Sequence, residues 1–188
     1  MRLISADDVC RAVEAVLVEH LDDTLEAAGW DVASGGDLTS VRTWDQVPTL
    51  DALSRADLPA GAIESPGLAG LPARTEAGWS STWRVVVGIY DRGETHDATA
   101  AKTRRWAAAV RATVLDNAAL DGLAQSVTWV TEAYAQQAAN NVARTLGGCA
   151  VGFDITVPDV VTLPLIAPAN PEPVVESTHT AVTVVTIT

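Results

Sequence analysis

The sequence predicts an α+β fold, with helices packed on a mixed or antiparallel sheet and an extended C-terminal arm. Three observations predict it. Apolar residues recur at three- and four-residue steps near the N-terminus and again after residue 97. Three segments, around 82–91, 127–134 and 149–157, alternate apolar and polar residues as half-buried strands do. Beyond Pro158 the composition turns Pro-rich and then Thr/Val-rich. A chain of 188 residues can bury one good core but not two of ordinary size. Residues 1–158 are therefore read as a single α+β domain with a loop-rich insertion at 31–71, and residues 159–188 as the arm.

The first helix starts at Ser5. Val9, Val13, Val16, Leu17, Leu21 and Leu25 share one face, Ser5 and Asp8 have the spacing of a capping box, and Gly29 is the stop signal. From Asp31 to Leu71 glycines and prolines interrupt short apolar runs, so loops are expected, with a strand at Leu38 to Trp44 and a short one around Ala62 to Ser65. In the clearest strand, Trp83, Val85, Val87 and Ile89 face one way and Arg84, Val86, Gly88 and Tyr90 the other. A second helix runs from Asp97, its predicted N-cap, to about Leu115, with Trp106, Val110 and Val114 along its stripe.

Asp116-Asn117 and Asp121-Gly122 mark a connection, after which Val127, Trp129, Thr131 and Ala133 alternate with Thr128, Val130, Glu132 and Tyr134. The following Ala- and Gln-rich stretch fits helix or loop. Gly147-Gly148 leads into a third strand whose apolar set is Cys149, Val151, Phe153, Ile155 and Val157. Trp83, Trp106 and Trp129 are expected to point inward and tie helix to sheet, whereas Trp30, Trp44 and Trp79 lie in or beside loops. In the arm, Pro164, Pro168, Pro171 and Pro173 precede THTAVTVVTIT, an extended type of segment able to add to a sheet edge on a neighbour or to stay frayed.

Charge narrows the partners. Twelve Lys and Arg against 24 Asp and Glu give a net charge of −12, which repels a polyanion over most of the surface. Lys102, Arg104, Arg105 and Arg111 cluster, while Asp7 through Glu26 supplies seven acids, and opposite patches of this kind either pair between subunits or form solvated helix faces. Cys10 and Cys149 lack any C-x-x-C or zinc-type spacing, so buried free thiols in a reducing compartment are expected. The opening MRLISADDV has no long apolar run, and the expectation is a chain made in a cytoplasm with no membrane partner.

Asp91, Glu94, His96 and Asp97 are the residue types a metal-dependent hydrolase would use. Their spacing matches neither H-E-x-x-H nor the calcium loop, and a polar turn accounts for them. No nucleophile elbow, Cys/His signature, G-x-G-x-x-G or Walker pattern is present. No catalytic, cofactor-binding or metal residue is assigned.

The order S-P-G-L-A-G-L-P, T-W-R-V-V-V-G-I-Y, T-R-R-W-A-A-A-V-R-A-T-V-L, L-D-G-L-A, V-T-W-V-T-E-A-Y and G-C-A-V-G-F-D-I-T-V, over roughly Ala62 to Val157, resembles the tail terminator (tail-completion) proteins of long-tailed bacteriophages, especially those infecting actinobacteria. The resemblance implies a non-enzymatic virion protein of the tail neck, assembled as a hexameric ring. Its implied partners are further copies of itself, the major tail tube protein and the head-tail connector, with DNA passing through the channel without specific binding. A head-side connector or adaptor is the neighbouring reading. The candidate subunit or tube interface is the end of the strand at 82–91, its turn and the basic helix: Tyr90, Arg92, Glu94, His96, Lys102, Arg104, Arg105 and Arg111.

Overall fold

A computed structural model describes residues 3–45, 57–76, 78–138 and 145–162. Helix α1 (Ala6–Ala27) is closed at both ends as its sequence predicts. The Ser5 hydroxyl accepts from the Asp8 N–H, and the Asp8 carboxylate accepts from the Ser5 N–H at 2.7 Å. That reciprocal pair satisfies two free donors of the first turn. At the other end the Trp30 N–H donates to Leu25 O and the Gly29 N–H to Glu26 O, both at 2.9 Å. Gly29 takes φ +67°, a left-handed conformation that glycine adopts without a Cβ penalty. Between these ends Val9, Val13, Val16, Leu17, Leu21 and Leu25 are buried.

Strands β1 (Thr43–Asp45), β2 (Ala60–Leu68), β3 (Ala73–Arg74), β4 (Trp79–Arg92), β5 (Ser126–Ala138) and β6 (Thr145–Val161) form one sheet. Its order is β1-β2-β4-β6-β5, with β3 paired to β4 off that path. β1 runs parallel to β2 and the other pairs are antiparallel, so the sheet is mixed. The central pair sets Trp83, Val85, Val87 and Ile89 opposite Ile155, Phe153, Val151 and Cys149. α1 and helix α2 (His96–Asp116) cover this apolar face, burying Trp106, Ala107, Val110 and Val114 against it. Each large side chain so buried contributes roughly 1.5–3 kcal/mol. The fold class is α+β, a helical layer on one open mixed sheet.

Four local expectations are corrected. Thr95, not Asp97, caps α2: its hydroxyl accepts from the Ala98 N–H at 3.1 Å. The reason is the tight turn before it, where the Gly93 N–H donates to the Thr99 hydroxyl at 3.0 Å and leaves Asp97 inside the first turn. The strand expected at Leu38 to Trp44 is confined to Thr43–Asp45, because Asp31 to Leu38 close into a loop in which the Asp31 carboxylate accepts from the Ala33 and Ser34 N–H groups, each at 3.1 Å. β2 is longer than the short strand expected at 62–65, since the ladder absorbs Pro66 in an irregularity between Glu64 and Gly67. β6 likewise continues past Pro158 to Val161, with Asp159 at φ +51°.

Residues 163–188 of the expected arm lie outside the described residues. Its root is fixed, however: the Ile4 N–H donates to Val160 O at 3.0 Å, and Leu3 bridges Val161.

α2 packs closely on β6 at Gly147, where an added Cβ would stand 2.5 Å from the Thr99 methyl and 2.7 Å from the Thr103 methyl. Gly147→Val is expected to push helix from sheet and cost about 1–3 kcal/mol, as overpacking does, read as a lower urea midpoint in equilibrium unfolding.

Candidate assembly surface

The polar turn after β4 divides into a buried part and an exposed part. Asp91 is buried; Oδ2 accepts from Trp106 Nε1 at 3.0 Å and lies 3.7 Å from Lys102 Nζ, and Oδ1 accepts from the Arg92 N–H at 2.7 Å. It ties the end of β4 to α2. Glu94, His96 and Asp97 face solvent. Among the described residues no group of three or more His, Cys, Asp or Glu side chains is disposed to hold a metal ion.

The basic residues of α2 are largely engaged within the chain. Lys102 turns to Asp91, Arg105 NH1 lies 2.5 Å from Asp37 Oδ1, and Arg111 NH1 donates to Glu132 Oε2 at 2.7 Å. Arg104 is exposed. Acidic α1 is the direct neighbour of α2 in the helical layer, joined through the Thr113 and Thr24 hydroxyls at 2.8 Å. The two charge clusters are therefore side by side on one subunit.

Helical spacing places His96, Ala100, Thr103 and Arg104 on the flank of α2 that looks along β5. With Tyr134, Ala135 and Gln136 they line a groove of ≈ 340 Å³. Arg111 continues the same flank, its guanidinium 4.5 Å from the centre of the Trp129 ring. Of the sequence-predicted interface residues, His96 and Arg104 thus meet in one groove and Arg111 borders it. Arg92 sits half-buried at the end of β4, and Glu94 stays on the exposed turn. Tyr90 belongs to the sheet face opposite α1 and α2, where its ring lies over Gly148.

Trp129 is the fifth correction. It was expected to be inward, but β5 is the last strand of the sheet, and Trp129 is 44% exposed. One residue later Val130 is the extra residue of a bulge: Trp129 pairs with Phe153 and Thr131 with Gly152. The bulge reverses the alternation, so that Glu132 and Tyr134, opposite Val151 and Cys149, join Trp129 on the helix side. Glu132 and Tyr134 are the site residues that strict alternation misses. Their own period of two was the available signal, but nothing in V-T-W-V-T-E-A-Y marks the extra residue. The outcome is a solvent-facing strip of Trp129, Val130 and Tyr134 flanked by Arg104 and Arg111. Aromatic and arginine anchors of this kind dominate protein contact surfaces.

Two thiols stay out of this chemistry. Burial pushes Cys149 up to about 12 and Cys10 up to about 11. Both are free and buried.

No protein-family model and no curated protein matches the chain. Among solved structures, a chain of one titled "Virion of native gene transfer agent (GTA) particle" is similar to it at 12% identity, covering 78% of this chain and 97% of that one, with a TM-score of 0.34. At that TM-score the likeness carries no argument about function.

Asp91→Ala is expected to leave the Trp106 Nε1–H and the Arg92 N–H without their acceptor and to destabilise the fold by about 1–3 kcal/mol, whereas Glu94→Ala, on the exposed turn, stays within about 0.5 kcal/mol; chemical denaturation compares the two. A second expectation concerns alkali. Partial burial, and then the Glu132 carboxylate that accepts its hydroxyl, push Tyr134 up from 10.0 to about 12. A folded-state value above the unfolded one stabilises fully below pH 10 and is lost as pH rises from 10 toward 12. Tyr134→Phe should therefore flatten the fall in melting temperature across that range.

Proposed function

We propose that the chain is a structural virion protein of a long-tailed bacteriophage, a non-enzymatic subunit that forms a hexameric ring on the end of the tail tube, stops its elongation and joins it to the head connector. The observation that carries this reading is the strip on β5. A long edge strand presents Trp129, Val130 and Tyr134 to solvent between two arginines, which suits a subunit completed by protein neighbours. The ordered sequence motifs between Ala62 and Val157 supply the tail-terminator character of the proposal.

Electrostatics agrees with a DNA conduit. A channel that must pass a polyanion without holding it is served by few phosphate contacts, and the net charge of −12 disfavours them. A ring also needs two different patches per subunit, repeated head to tail around an axis. The β5 and α2 groove is one such patch.

Native mass spectrometry of the purified protein, alone and with tail tubes, tests the assembly. The expected product is a species of six times the 19.6 kDa chain, seen in micrographs as a ring at one end of the tube. A protein that stays monomeric and leaves tubes bare defeats the proposal. Cross-linking to the portal in place of the tube would move the assignment to the head side.

A further inference from the structure

We propose that the free edge of β5 is paired, in the assembled protein, by residues 178–188 of a second copy of this chain. The proposal rests on the self-assembly part of the function above and adds the strand that performs it.

Among the described residues β5 pairs on one side only, with β6. It is 13 residues long, and natural sheets guard edges of that length with charges, prolines or short strands. β5 has no proline and one charged residue, Glu132, which is turned to Arg111 on the helix side. The Val130 bulge is its single protective device. Beyond it, Thr131 to Ala138 run in unbroken register with Gly152 to Thr145, an undistorted template for another strand. At the other end of the sheet the edge strand β1 has only three residues.

Residues 178–188, THTAVTVVTIT, match that template in chemistry and length. They contain no Asp, Glu, Lys, Arg or Pro, in a chain that is 19% charged. Pairing with β5 therefore brings no like charges together, even in an acidic protein. Eleven residues in extended form cover about 36 Å, against about 43 Å for the 13 of β5. Thr and Val are strong strand formers, and main-chain pairing to an exposed edge is a general mode of peptide capture.

The direction of the chain favours a neighbour as the source. The segment originates at the C-terminal end of β6, and the nearest part of the β5 template, Thr131 opposite Gly152, lies roughly 25–30 Å back along the sheet and about 10 Å across it. Residues 163–177 include Pro164, Pro168, Pro171 and Pro173, and a proline-rich spacer of that length reaches on the order of 45 Å. On its own β5 the segment would have to double back and run parallel to the strand, the less stable pairing, whereas on an adjacent subunit the same reach leaves antiparallel pairing open.

The test is disulfide trapping in the full chain. One set of proteins carries Thr131→Cys, Ala133→Cys or Ala135→Cys, and a second set carries Val182→Cys or Val184→Cys; members are mixed pairwise and oxidised. Because Cys10 and Cys149 are buried, the natural thiols stay silent. A covalent dimer in at least one mixture, absent when either protein is oxidised alone, is the expected result. A chain carrying one change from each set should give a multimer ladder on a non-reducing gel. An internally linked monomer as its sole product overturns the proposal, because the segment then folds back on its own sheet. If native mass spectra show the ring while no mixture cross-links, the pairing is refuted and the ring reading survives. Loss of the oligomer in the unsubstituted chain removes both.

Discussion

The antiparallel pairing of β4 with β6 is the constraint from which the other elements take their places. It aligns two apolar rows, Trp83, Val85, Val87, Ile89 and Ile155, Phe153, Val151, Cys149, into a slab that two helices must cover. α2 can settle there because Gly147 leaves room for the Thr99 and Thr103 methyls. Its position then fixes where Asp91 finds Trp106 and Lys102, and where the flank carrying His96, Arg104 and Arg111 faces outward. Packing on one face of the sheet thus determines the chemistry displayed along its edge.

Much of this slab was legible from period alone, since β4, β6 and the buried rows of α1 and α2 fall on the residues that alternation and helical spacing indicate. The α1 cap was legible because Ser5 and Asp8 act on each other without help from distant residues. The α2 cap was not: Thr95 and Asp97 are both capable, and the choice depends on a bond from Gly93 to Thr99 that exists only after the turn has closed. β2 was obscured by Pro66, which reads as a breaker until its bulge is seen. Half of the candidate surface was legible, through His96, Arg104 and Arg111. The other half depends on a bulge whose extra residue, Val130, is itself an ordinary strand former.

Charge plays a quieter part than its clustering in sequence suggests. Lys102, Arg105 and Arg111 each meet a carboxylate of their own chain, and the Arg84 guanidinium pairs with Asp154 on the sheet face opposite α1 and α2. Partly exposed pairs of this sort contribute little to stability but hold side chains in place. Arg111 in particular keeps one face toward Glu132 and another over Trp129, so a single guanidinium orients both the acid and the aromatic of β5. Among the described residues, what these pairs leave exposed along β5 is mainly aromatic surface and unpaired backbone.

The Val130 bulge also has a genetic meaning. Deleting that one codon would remove the unpaired residue and leave every side chain from Thr131 onward on the side of the sheet it already occupies, because the bulge is what absorbs the extra residue. What would change is the edge itself, whose ladder from Ser126 to Ala138 would run without the interruption that now shields it. A lineage could by this means lengthen or interrupt the pairing edge without altering a residue of the core. Among related chains, an indel at this position would be a sharper sign of changed partnership than many scattered substitutions.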